Sequence, residues 1–293
     1  MSKTHTAAAA PAVKKKQSYQ VLKRLIEIPT ARFGLIILLL LVVLSLISPL
    51  ICKWGYTEMD FNYMNGGPCA EHLLGTDALG RDLLSRLLYG GRYSLGLGFG
   101  SCAISTSLGI LLGSIAGYFG GWVDNLILRA CELLQAIPSN LLALIISATF
   151  GGGYFTTMLA LAIGGIPGGT RILRAQILSV RKEEYIEAAQ SVNCSPARIM
   201  FSHILPNVIS PVIVSTTMGM GNMITMAAGL SFIGLGIQPP TPEWGAMLSE
   251  GRNVITNYPH LAIFPGLFIF ITVLCFNLFG DGLRDAIDPK LKK

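Results

Sequence analysis

The run from Phe33 to Cys52 holds twenty residues without one charged side chain, and five further apolar stretches follow at about 93–117, 121–148, 155–178, 206–228 and 261–280. At about 1.5 Å of rise per residue, a twenty-residue helix crosses a hydrocarbon layer of about 30 Å. Six such stretches predict an all-α membrane protein of six transmembrane helices. Composition agrees: 52% of the 293 residues are hydrophobic and 13% are charged, against roughly a quarter charged in soluble chains. So little charge cannot cover the surface of a soluble protein of this size, which excludes an ordinary soluble enzyme. Many of the 33 glycines lie within the apolar runs, as in membrane helices.

Lys and Arg are distributed unevenly between the alternate connections. With the first tail inside, seventeen of the 22 fall on the inner side, in residues 1–32, at Arg129, in 171–198 and in 281–293. Only Lys53, Arg81, Arg86, Arg92 and Arg252 fall outside. Positive charge stays on the cytoplasmic side, so both termini are expected there and the segments 53–92 and 229–260 are expected to face outward. The net charge of +6 is therefore an orientation signal and not a nucleic-acid footprint. The expected organisation is a cytoplasmic tail at 1–32, a first span at 33–52, an extracytoplasmic segment at 53–92, a membrane core at 93–280 and a cytoplasmic tail at 281–293. The first span is too long, and its exit too bulky, for a cleaved leader. Ile51 likewise argues against lipid modification of Cys52.

No metal site is expected. Cys52, Cys69, Cys102, Cys131, Cys194 and Cys275 form no CxxC pair and sit mostly in apolar runs. Only Cys52 and Cys69 could share an oxidising face, and their bonding is left open. The one acid–base pair near a span, Arg129 and Glu132, is spaced to pair on one helix face; a proton relay would need acids in several spans. Gly109, Gly113 and Gly117 stand at fourfold spacing and predict a face for close helix approach, within the chain or with a second subunit. Pro138 and Pro167 are expected to kink the third and fourth spans. In the fifth, Met218, Met220, Met223 and Met226 alternate with small and polar residues. A thioether conduit for a soft metal is one reading and adaptable packing the other. Met218, Asn222 and Thr225 are the candidates for lining a polar path.

The connection 181–206 is the most informative segment. Glu183, Glu184 and Glu187 load the first turn of a short amphipathic helix, where acids suit the helix dipole. Asn193 tolerates the left-handed turn that ends it, and Ser195-Pro196 caps a second helix running to Leu205 before Pro206 opens the fifth span. Three acids would be repelled by anionic lipid, so a protein partner with a groove is expected.

Glu187-Ala188-Ala189, Asn193 and Ile204-Leu205-Pro206 resemble the EAA loop of ABC-importer permeases, with Asn193 standing where that pattern has Gly. His72-Leu73-Leu74-Gly75-Thr76-Asp77-Ala78-Leu79-Gly80-Arg81-Asp82-Leu83-Leu84-Ser85-Arg86 resembles a block of the second permease subunit of dipeptide, oligopeptide and nickel importers. The segments Gln238–Gly245 and Gly280–Pro289 are similar to it as well, so the resemblance spans about residues 30–291. It implies a type I ABC-importer permease fold in a bacterial plasma membrane, with Glu187, Ala188, Ala189, Asn193, Ile204, Leu205 and Pro206 forming a coupling helix and its turn. It also implies a second permease subunit, two ATP-binding subunits that hold ATP and Mg, and an extracytoplasmic binding protein. Asp77, Arg81, Asp82, Glu243 and Trp244 are the candidates for contacting that protein or forming a gate, with mutual pairing of the charges as the alternative; Trp244 is expected as an interfacial anchor. The chain has no GxxxxGK[ST], HExxH or GxSxG motif and no catalytic cluster, so no cofactor of its own is expected and it is not read as an enzyme. Peptide is the expected cargo, with nickel or a metal chelate as the alternative. A stand-alone secondary carrier and a membrane scaffold or receptor are the competing classes.

Overall fold

A computed structural model describes residues 21–287. The tail with Lys14, Lys15 and Lys16, and the last block from Asp288, lie outside the described residues. The elements are α1 (Pro29–Ile51), α2 (Leu83–Phe119), α3 (Gly121–Gln135), α4 (Ser139–Phe150), α5 (Tyr154–Val180), α6 (Glu184–Ser191), α7 (Leu205–Phe232), α8 (Trp244–Arg252) and α9 (His260–Ile287). Among the described residues there is no β-strand, only isolated bridges at Met59–Arg81 and Thr76–Asp82.

Among the described residues, four helices are long and apolar enough to cross a membrane: α1, α2, the helix Pro196–Phe232 that contains α7, and α9. The bent pair α3–α4 makes a fifth if it is one broken span. The third predicted span is thus corrected from a kinked helix to two helices meeting at 77°. Pro138 has no N–H to continue the ladder, and the chain turns there. α5 fills the place of the predicted fourth span and runs unbroken through Pro167. It carries Arg171 and Arg174, and Arg174 grips Asp124 of α3 with two nitrogens.

The second span starts about ten residues earlier than its apolar run suggests. Asp82 caps α2 by accepting the Ser85 N–H at 2.7 Å, so residues 83–92 are helical instead of part of an outer loop. Arg92 thereby faces α1. Pro49 cannot donate to the carbonyl of Ser45, and that carbonyl accepts Arg92 Nε at 2.7 Å and the Ser48 hydroxyl at 2.8 Å.

The glycine face of α2 packs within the chain, against α5. A Cβ on Gly113 would lie 2.7 Å from the Thr170 carbonyl oxygen, one on Gly109 3.1 Å from Gly169 and one on Gly117 2.9 Å from Ile177. At about 1.5 Å per residue, the 37-residue α2 holds its two ends roughly 55 Å apart. At its start, Leu83 and Leu87 pack with Trp244, Met247 and Leu261. Near its far end, Tyr118 packs against the α5–α7 cluster of Ile177, Ile186, Ile199 and Ile204. The block 72–86 and the EAA-like loop therefore occupy opposite ends of the molecule.

Candidate functional site

At the far end, Glu183 stands before α6, and Glu184 and Glu187 occupy its first turn, as the dipole favours. The helix is amphipathic. Ile186 and Ala189 are buried against Leu173, Ile177, Ile199, Met200 and Ile204, whereas Glu184, Glu187, Ala188 and Gln190 are exposed. The expected coupling residues divide accordingly: Glu187 and Ala188 face outward, while Ala189 and Ile204 fasten the loop to its own chain. Asn193 has φ = 58° and ends α6; the Asn193 N–H donates to the Gln190 carbonyl at 2.9 Å and the Cys194 N–H to the Ala189 carbonyl at 3.1 Å. Val192, at the tip of the turn, is 73% exposed.

Beyond the turn, the chain departs from the expected separate second helix. Ser195 caps Pro196–Arg198, the backbone then winds as a π-helix over Ile199–Ile204, and it passes directly into α7. Pro206 lacks an N–H and its ring crowds the carbonyl four residues back; a wider turn ahead of it relieves both problems. α6 is tied across this junction by the Tyr185 hydroxyl, which accepts from Asn207 Nδ2 at 3.5 Å.

At the opposite end, the turn 77–81 is held by Asp77, whose Oδ1 accepts the N–H groups of Leu79 and Arg81 at 2.9 and 3.0 Å. Gly80 supplies the positive φ of 75° that this turn needs. Asp77 Oδ2 accepts Arg81 Nε at 2.6 Å and also Arg86 Nη1. From α8, Glu250 meets Arg86 Nη1 at 3.0 Å and Arg81 Nη2 at 3.4 Å. Asp82 pairs with His72 Nδ1 at 2.9 Å, and Trp54 and Tyr63 stack on the two sides of that buried imidazole. Asp77, Arg81 and Asp82 are all buried, so mutual pairing is what these charges do in the chain, not surface contact. Removing one member of such a network leaves its partner charged and buried, at a cost of roughly 3–5 kcal/mol.

The expectation for Trp244 is corrected outright. Its ring is 0% exposed, donates through Nε1 to the Leu87 carbonyl at 2.9 Å and meets Phe268 edge-on, so it is a core residue joining α8 to α2 and α9. Glu243 is buried beside it as the cap of α8, accepting the Ala246 N–H and the Ser94 hydroxyl, each at 2.9 Å. Burial pushes the Glu243 carboxyl above the ordinary glutamate range, against the opposing pull of those hydrogen bonds.

On α7, Asn222 and Thr225 are exposed on one face of the bundle, and Gly229 continues it. Met218, half-buried, packs against Gly280 of α9 and is shared between that face and the core. Sequence reasoning missed His72, Ser94 and Glu250. His72 stood within a recognised block without a role, whereas Glu250 finds its partners 164 to 169 residues away, where no spacing rule reaches.

Comparison with known proteins gives one consistent result. Residues 109–293 match the family described as binding-protein-dependent transport system inner membrane component, and residues 17–68 match the N-terminal TM domain of oligopeptide transport permease C. The glutathione transport system permease protein GsiD of Pectobacterium atrosepticum is 46% identical over 259 residues, covering 88% of this chain and 86% of that protein. The dipeptide transport system permease protein DppC of Alkalihalophilus pseudofirmus is 43% identical over 273 residues, covering 93% and 90%. A chain of the MetNI methionine ABC transporter, solved in inward-facing conformations, aligns with a TM-score of 0.56 at 16% identity, over 69% of this chain and 97% of that one. That last likeness is one of fold.

Proposed function

From the chain's place among the binding-protein-dependent transport system inner membrane components, the family to which it belongs, we propose that it is the permease subunit of an ATP-driven importer of short peptides. In this reading the chain forms half of a pathway completed by a second permease subunit. Two ATPases bind ATP and Mg, and an extracytoplasmic protein delivers the cargo. Relatives named for dipeptide and glutathione transport favour a peptide over nickel or a metal chelate. The end carrying α6 is read as cytoplasmic, with both termini on that side, and the end carrying Asp77 and Trp244 as extracytoplasmic.

The observation that carries the mechanism is the two-faced α6. Its inner face is locked into the α5–α7 core, and its outer face offers Glu184, Glu187 and Ala188 to a groove with complementary positive charge. An ATPase that closes on ATP would push α6 as a rigid lever. Because α6 packs through Ile186 and Ala189 on the π-wound segment, and that segment runs into α7 without a break, the push would reach the face carrying Met218, Asn222 and Thr225, the proposed pathway lining. The chain performs no chemistry on the cargo in this scheme. The outer ion network holds the 53–82 segment, α2 and α8 as one platform for a binding protein.

Glu187→Arg tests the coupling role. Reconstituted with its partner subunits, the variant is expected to reach the membrane in normal amount but to lose peptide uptake by about tenfold or more. Normal uptake together with normal substrate-stimulated ATP hydrolysis would remove α6 from the coupling path.

A further inference from the structure

The break between α3 and α4 lies at mid-height of the bundle. Ser139, the first residue of α4, packs on Gly164 of α5, where an added Cβ would meet the Ser139 Cβ at 3.1 Å. Gly164 stands about 15 Å from the first residue of the 27-residue α5. A Cβ on the neighbouring Gly165 would meet the Met223 methyl of α7 at 2.8 Å, so the break is level with Met223 and with the exposed Asn222 and Thr225 beside it. That height falls well inside an apolar layer of about 30 Å.

Here the backbone is both interrupted and uncovered. The Ala136 N–H donates to the Glu132 carbonyl at 2.9 Å, and the next N–H to reach a carbonyl is that of Leu142, which meets Pro138 at 2.9 Å. Pro138 has no N–H, and the Leu141 N–H turns to Asn140 Oδ1 at 3.0 Å. Among the described residues, no backbone N–H donates to the carbonyls of residues 133–137. Every residue from Gln135 to Leu141 is exposed, the polar Gln135, Ser139 and Asn140 included. Interrupted backbone does not face lipid at this depth; it is either buried in protein or set against water. A dry coat from a neighbouring subunit must bring a fitted donor to each freed carbonyl and partners to Gln135 and Asn140. Water satisfies all of them without a fitted surface.

We propose that the α3–α4 break is a wall of a water-filled passage at mid-membrane. Gln135, Ser139, Asn140 and the freed carbonyls of residues 133–137 are its wetted groups. The passage rests on the import reading for what moves through it, and it adds a wall of interrupted backbone to the one carrying Asn222 and Thr225; the wetness of the break does not depend on that reading.

The test places Gln135→Cys and Asn140→Cys, one at a time, in the complete transporter in lipid nanodiscs. Each is treated with a charged, lipid-insoluble methanethiosulfonate, and the labelling of the six native cysteines in the unsubstituted complex is subtracted. Leu39→Cys, exposed in the charge-free run of α1, is the lipid-facing reference. The reactive thiolate forms where water reaches it, so both positions are expected to react about tenfold or more faster than Leu39→Cys. Backbone deuterium exchange of the unsubstituted complex gives the same answer without a variant: residues 137–140 are expected to exchange about tenfold or more faster than residues 105–113 of α2. Labelling no faster than at Leu39→Cys, or exchange no faster than in α2, would overturn the proposal. Uptake by the same variants in proteoliposomes is read separately. Fast labelling in complexes that import nothing, wild type included, would count against the import reading and leave the wet break standing.

Discussion

Glu243 illustrates how a single residue carries both the fold and a measurable pH signature. Its carboxyl caps α8 and links it to Ser94 of α2, and burial raises its proton affinity. Over the window between the ordinary glutamate value and the raised folded one, the folded chain holds a proton that the unfolded chain has released. Stability must then fall as pH rises through that window and level off above it. Glu243→Gln keeps an oxygen to accept the Ala246 N–H and removes the titration, so its thermal midpoint is expected to lack that decline. A wild-type midpoint that rises over the same range, or a variant that declines equally, would contradict the assignment. Trp244 beside it shows where residue-level reading stops. An amphipathic ring next to prolines in an outer segment suits a membrane interface, but whether it turns inward depends on Leu87, 157 positions away. Asn193 was legible because a positive φ is a local matter of backbone sterics, and the turn has φ = 58°.

Helices were legible to the degree that their causes were local. Apolar runs located the segments, and the fourfold glycines of α2 announced a close approach; that α5 supplies the partner was not encoded in α2 itself. Helix ends were less accessible. The capping Asp82 sits in a polar block that reads as loop, although it begins the 37-residue α2. Pro138 and Pro206 look alike in sequence, yet one stands at a 77° break and the other comes after a π-wound turn and leaves the helix continuous. The difference lies in what surrounds each proline, since a freed carbonyl is tolerated only where neighbours accept the altered path. The α2–α5 seam offers a direct test. Gly113→Leu must push apart backbones that leave no room for a Cβ, at a cost of about 1–3 kcal/mol or more. A lower yield of monodisperse protein and a reduced thermal midpoint are expected, against little change for a leucine at exposed Gly168, where a Cβ meets nothing within 4 Å.

At the scale of the whole molecule, two organised ends are separated by a bundle nearly stripped of charge. One end is a polar network of Asp77, Arg81, Arg86 and Glu250; the other is a short acidic-faced helix on an apolar root. Sequence resemblance located both ends, and the structure supplied the inward burial that turns the block 72–86 from a contact surface into a brace. The EAA-like loop was more legible because its exposed and buried positions alternate with helical period within a few residues. In the proposed scheme, energy reaches this permease from separate ATPases. The most direct measurement is uptake of a labelled dipeptide into proteoliposomes containing either the chain alone under an imposed ion gradient or the chain with its second permease, ATPases and binding protein. Accumulation is predicted only with the complete set and ATP. Gradient-driven accumulation by the chain alone would contradict it.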